Sequence, residues 1–154
     1  MAHFAELESK TDPTGFTSDT HLIVKRVVVV ANDVVPSDEH VDGETWCENF
    51  FGGGIWKQTS YNHNFRKQYC GAGFVYNASK NKFLAQQPHD SWALDSSDDW
   101  QAPVTTPSNM TIDSTENGVS FLTWDEDNLR WLGKKVSDNS QLRWDADNTQ
   151  WVSV

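Results

Sequence analysis

Two acidic turns carry the residues best suited to chemistry. Trp124-Asp-Glu-Asp-Asn-Leu-Arg-Trp131 is followed by Trp144-Asp-Ala-Asp-Asn-Thr-Gln-Trp151. Asp125, Asp127 and Asn128, and again Asp145, Asp147 and Asn148, offer hard oxygen ligands in the D-x-D-N order that begins a calcium loop. The central glycine and the distal bidentate glutamate of such a loop are missing, so no metal is assigned. Cys70, His63 and His89 are a weaker candidate metal set. The indoles are flat apolar platforms on which a sugar ring could stack, although core packing is the more common use of a tryptophan. Asp98-Asp99 reads as a solvated turn rather than a glycosidase pair. Arg66 and Lys67, set between Tyr61 and Tyr69, read as an ion-paired sheet edge rather than a nucleic-acid contact. The chain holds no G-x-S-x-G, H-E-x-x-H, C-x-x-C or phosphate-cradling glycine loop. It is read as a non-enzyme with no catalytic residue and no cofactor.

The spacing that separates the tryptophans requires particular elements. A two-residue turn at Asp127-Asn128 sets Trp124 opposite Trp131 and Asp125 opposite Arg130. The same register pairs Trp144 with Trp151, and Asp-Asn suits a turn that needs positive φ. Tyr76 to Phe83 repeats the spacing, and Trp92 to Trp100 is one residue longer. An aromatic cross-strand pair contributes about 0.2–1 kcal/mol, too little to hold an isolated two-stranded hairpin in water. These hairpins must therefore complete their burial on each other, on the rest of the chain or on a neighbouring molecule. Trp124, Trp131, Trp144 and Trp151, with Pro103 and Pro107 on a proline-stiffened arm, are the candidate partner-binding residues.

The remaining elements follow from pattern. His3 to Glu8 alternates and predicts a first strand, and residues 9–20 predict a long hairpin loop. The β-branched run within 21–32 predicts the central strand, covered on both faces in its second half. Phe4 and Leu7 are expected opposite it. Pro36 to Glu39 is a candidate helix start, but Gly43 moves the firmer prediction to 43–51. There Trp46/Phe50 and Cys47/Phe51 make one apolar stripe aimed at Val27 to Val30, and Gly52 caps the end. Residues 55–60 predict a strand, and 71–76 with 81–85 a hairpin over Ser79-Lys80. Val27, Val29, Trp46, Phe50, Trp56 and Phe74 are the expected core. The fold class is mainly β (α+β with one short helix): a β-rich domain over 1–108 and tandem hairpins over 109–154.

Composition narrows the partners. With 22 Asp and Glu against 12 Lys and Arg, the net charge of −10 disfavours nucleic acid and anionic membranes. No apolar run reaches the roughly 20 residues of a membrane span. The opening Met-Ala-His-Phe-Ala-Glu predicts no secretory leader. Cys47 and Cys70 are then expected as reduced thiols.

One resemblance organises the whole. Trp56-Lys-Gln-Thr-Ser-Tyr-Asn-His-Asn-Phe-Arg-Lys-Gln-Tyr69, with Gly71-Ala-Gly-Phe-Val-Tyr76, Phe83-Leu-Ala-Gln-Gln-Pro88, Asp99-Trp-Gln-Ala-Pro103 and Thr123-Trp-Asp-Glu-Asp127, resembles small virion-associated proteins of marine tailed phages of the cyanophage type. This chain departs from them in its second W-D-x-D-N…W copy. The resemblance implies a virion structural protein, made in the host cytoplasm. It would act as a capsid decoration or tail component through contacts with other virion proteins or with its own copies. The alternative is a glycan-binding host-recognition module that uses Trp platforms.

Overall fold

The computed structural model describes residues 1–9, 21–112 and 118–154. The loop expected over 9–20 therefore lies almost wholly outside the described residues. The fold is mainly β with one helix among them. It divides into two units, Met1–Gln87 and Pro88–Val154. The expected boundary after residue 108 is corrected. Trp92, Ala102 and Val104 pack on the C-terminal tryptophans, so their segment belongs to the second unit.

In the first unit, β1 (Ala2–Ser9), β2 (His21–Val30), β3 (Ile55–Thr59), β4 (Val75–Asn77) and β5 (Lys82–Leu84) form an antiparallel sheet of order β3-β1-β2-β4-β5. Phe4 lies opposite Val28 and Leu7 opposite Val24, as the pattern predicts, with a bulge between Glu6 and Leu7. Alternation sends Phe4 to one face, where it joins Val30, Cys47 and Trp56 beneath the helix α1 (His40–Phe51). Ala5 and Leu7 face the other way, onto Leu22, Val24, Cys70, Tyr76 and Phe83.

Several expectations fail here. Val28 and Val30 lie on the face that the helix covers, but cover on the other face ends before Val29, which is 55% exposed. Val27 is partly buried, and Trp56 and Phe74 meet the core as expected. Residues 71–74 turn rather than extend, with Gly73 at φ 84°.

The helix begins three residues before Gly43. Ser37 accepts from the Glu39 N–H and donates to Asp42, tying down the first turn. Gly52 closes the helix at φ 75°, and the Gly53 N–H reaches the Glu48 carbonyl. Gly43 does not interrupt the helix; it lets the helix approach β1. A Cβ there would sit 2.3 Å from Cζ of Phe4. The buried side of the helix is therefore Gly43, Glu44 and Cys47, and the expected stripe is rotated outward. Phe50 is 67% exposed and stacks on the partly buried Trp46.

In the second unit, β6 (Ala93–Leu94) and β7 (Trp100–Gln101) form a short hairpin in which Trp100 faces Leu94 rather than Trp92. Its turn contains the Asp98-Asp99 pair, but Asp98 is buried, not solvated. β8 (Val119–Asp125), β9 (Arg130–Lys135), β10 (Gln141–Asp145) and β11 (Gln150–Ser153) form a four-stranded meander. Trp124 faces Trp131, Asp125 faces Arg130 and Trp144 faces Trp151, all as the spacing predicts. The two hairpins pair with each other through Leu132 and Arg143, and through Gly133 and Leu142.

The turn chemistry differs from expectation. Four residues, not two, connect each strand pair, and the left-handed residue is the last of them: Leu129 at φ 49° and Thr149 at φ 52°. Asp127 and Asn128 are not among the positive-φ residues. Asn128 instead donates its N–H and side-chain amide to Asp125, and Asn148 repeats both bonds to Asp145. The β4–β5 turn uses the same device, with Asn77 accepting from the Lys80 N–H and Asn81 at φ 51°.

Candidate binding groove

Each indole of the second unit has a distinct post. Trp124 and Trp131 meet edge to face with centroids 5.3 Å apart, and Trp144 and Trp151 do so at 5.2 Å. Trp92 packs against both members of the first pair. Trp124, Trp131 and Trp151 are buried with Val119 and Leu142. The expectation that all four tryptophans face a partner is therefore corrected. Alternation along adjacent strands puts all four on one face; Trp124, Trp131 and Trp151 are core there, and Trp144 is only partly buried against them.

The indole nitrogens fix that arm. Trp131 Nε1 donates to the Val104 carbonyl at 2.9 Å, and Trp151 Nε1 donates to the Asn109 carbonyl at 2.7 Å. Between these anchors the chain spans 105–108. Pro107 is buried and Pro103 exposed, so only Pro103 presents itself as the sequence suggests. Beside this span runs a groove of about 430 Å³, with residues 103–108 on one wall and Trp144, Ala146 and Thr149 on the other. Pro103, Pro107 and Trp144 thus share a site, from which Trp124, Trp131 and Trp151 are absent.

The acidic turns are occupied by their own structure. The Asp125 carboxylate accepts from Arg130 Nε at 2.9 Å and from Asn128, and these bonds hold it below the usual carboxylate range. Asp145 is lowered by its bonds from Asn148. Burial alone would raise Glu126, but its bonds from Ser91 and Trp124 outweigh that and lower it. Among the described residues no cluster of three or more His, Cys, Asp or Glu is arranged to hold a metal. His63 accepts from the Tyr69 N–H through Nδ1, and His89 belongs to the second unit, with its ring against Trp92. Cys47 and Cys70 are free buried thiols, each pushed up to about 11 by burial and so held protonated.

No protein-family model, curated protein or solved structure matches the chain. The site must be judged on its own geometry.

Two features of the first unit escaped the sequence reading. Arg66 is not at a sheet edge. Its side chain is 8% exposed, and Nη1 donates to Glu44 Oε1 at 2.6 Å and to the Gln58 carbonyl at 2.8 Å. Glu44 also accepts from the Gln58 N–H and from Lys57. Arg66 reaches this position from a backbone φ of 52°, which no sequence pattern announces. The second feature is an aromatic ladder at the end of α1: Trp46 on Phe50, Phe50 against Phe51, and Phe51 on Trp56, with the Arg26 guanidinium over Phe51 at 4.8 Å. The helical spacing of Trp46 and Phe50 is the signal for it, but spacing alone does not distinguish an exposed stripe from a core-facing one.

Proposed function

We propose that this chain is a structural protein of a phage virion, a capsid decoration or tail-associated component that acts by protein–protein contacts. The sequence resemblance to virion-associated proteins supports the role. One structural observation supports the mode of action: Phe50 stands 67% exposed on a ladder of stacked rings. Exposed apolar rings on a monomer mark contact surfaces, and aromatics are enriched where proteins meet. Val41 and Ile55 extend the apolar character of that region. The terminal hairpins, whose burial is completed within their own unit, give up the contact role to this ladder.

Mass spectrometry of purified particles tests the proposal. The chain should be present in fixed stoichiometry, and its absence would remove the role. Phe50→Ser should leave the isolated chain folded, because the ring is mostly in solvent, and should lower incorporation into particles. Normal incorporation of that variant would move the contact elsewhere.

A further inference from the structure

The geometry points to the groove beside Trp144 as a binding site for a neutral saccharide ring, independent of any role on a particle. The two hairpins differ at one informative place. In the first, Glu126 accepts from the Trp124 indole N–H at 2.6 Å. In the second, Ala146 occupies the same register position, and both Ala146 and Trp144 line the groove. Trp124, Trp131 and Trp151 each donate their indole N–H to a protein oxygen; Trp144 donates to none among the described residues. The second copy of the repeat has therefore lost the side chain that caps and fills, and has gained an accessible indole.

The lining selects the ligand class. No lysine, arginine or histidine borders the groove, and the chain carries a net charge of −10, so phosphates and carboxylates find no counter-charge. No carboxylate borders it either, which removes the recognition element for an ammonium group. What remains is one indole, two pyrrolidine rings and hydroxyls from Thr105, Thr106, Ser108 and Thr149. That set suits a ring with an apolar face and a hydroxylated rim. The volume of about 430 Å³ lies within the roughly 300–1,000 Å³ of small-molecule sites. The wall is also set in advance. Hydrogen bonds at Val104 and Asn109 hold both ends of the span, Pro107 restricts it between them and Pro103 restricts the chain just before it, so little ordering remains for a ligand to induce.

The test is a titration of the intact ¹⁵N-labelled chain with glucose, galactose, mannose, N-acetylglucosamine and their β-linked disaccharides. The indole N–H resonance of Trp144 is the readout, assigned by its loss in Trp144→Phe. At least one neutral sugar should move it with a dissociation constant of about 1 mM, the weak end of specific binding. Ala146→Glu copies the first hairpin, so it should fold and should weaken binding at least about tenfold as the carboxylate takes the indole N–H and fills the groove. If no neutral sugar in the panel shifts the resonance, or if Ala146→Glu binds as well as the parent, the inference is wrong. A shift produced only by sugar phosphates or by a proline-rich peptide overturns it as well.

Discussion

Thr149 occupies a conformation that its type resists. A β-branched residue at φ 52° crowds its Cβ against the neighbouring carbonyl, at a cost of about 1–2 kcal/mol, whereas asparagine tolerates this region. The β4–β5 turn already uses Asn81 at the matching position, at φ 51°. Thr149→Asn should therefore stabilise the protein by about 0.5–1 kcal/mol, read as a higher urea midpoint with an unchanged slope. Protons act at this scale too. Asp125, Asp138 and Asp145 are held below their ordinary 3.8, and Glu126 below 4.5. A depressed carboxyl contributes stability that is complete above its unfolded value and lost as pH falls through the folded one. The urea midpoint should thus be flat in these groups above about pH 5 and decline as pH falls below the ordinary carboxylate range. Asp125→Asn keeps the turn, as Asn77 shows, but removes the charge facing Arg130. Its acid decline should be shallower than the parent's.

Elements are held by close approach and by charged pairs, among them the buried Glu44–Arg66 network, and the two respond differently to mutation. Alanine is about 1 kcal/mol better than glycine in a helix interior. At Gly43 that gain loses, because the new Cβ would lie 2.3 Å from the Phe4 ring and overpacking costs about 1–3 kcal/mol. Gly43→Ala should lower the urea midpoint despite the better propensity. Removing Glu44 leaves the buried Arg66 guanidinium with neutral acceptors alone, at a cost of about 3–5 kcal/mol, whereas removing Arg66 costs less, because Glu44 keeps Lys57 and the Gln58 N–H. The double variant Glu44→Gln/Arg66→Met should lose much less than the sum of the singles, and a double-mutant cycle reads that coupling. This contrast also marks what was legible in the chain. Alternation gave β1, the β-branched run gave β2, and the seven-residue interval between aromatics gave the register of the C-terminal hairpins, because these follow from backbone geometry and strand propensity. The Glu44–Arg66 pair is not periodic; it depends on a left-handed residue in an irregular loop. Helical spacing placed Trp46 and Phe50 on one face but could not say which face the sheet takes. That choice is made by Gly43, the one position small enough to lie against Phe4.

At the scale of the whole molecule, the two units have cores that share no residue: Phe4, Trp56, Phe83 and their neighbours in one, and the tryptophans with Val119 and Leu142 in the other. The boundary is hard to place from sequence because the span from Trp92 to Pro107 has little regular structure. Its attachment comes from indole hydrogen bonds to backbone carbonyls, which leave no mark in a hydrophobicity pattern. Separate cores imply separable stability. Gly133 lies where β9 passes under Val119 and Trp151, and a Cβ there would approach Val119 Cγ1 to 2.4 Å. Gly133→Ala should loosen the meander by about 1–3 kcal/mol. Native-state hydrogen exchange localises the effect. Amides of β8 to β11 should exchange faster, together with the arm residues they anchor, while protection in β1, β2 and α1 stays at its parent level. An equal loss of protection in both units would mean that they open as one cooperative structure despite their separate cores. The distinction bears on the proposed roles: a sugar-binding meander that can loosen without disturbing the aromatic ladder could be altered by mutation while particle contacts persist.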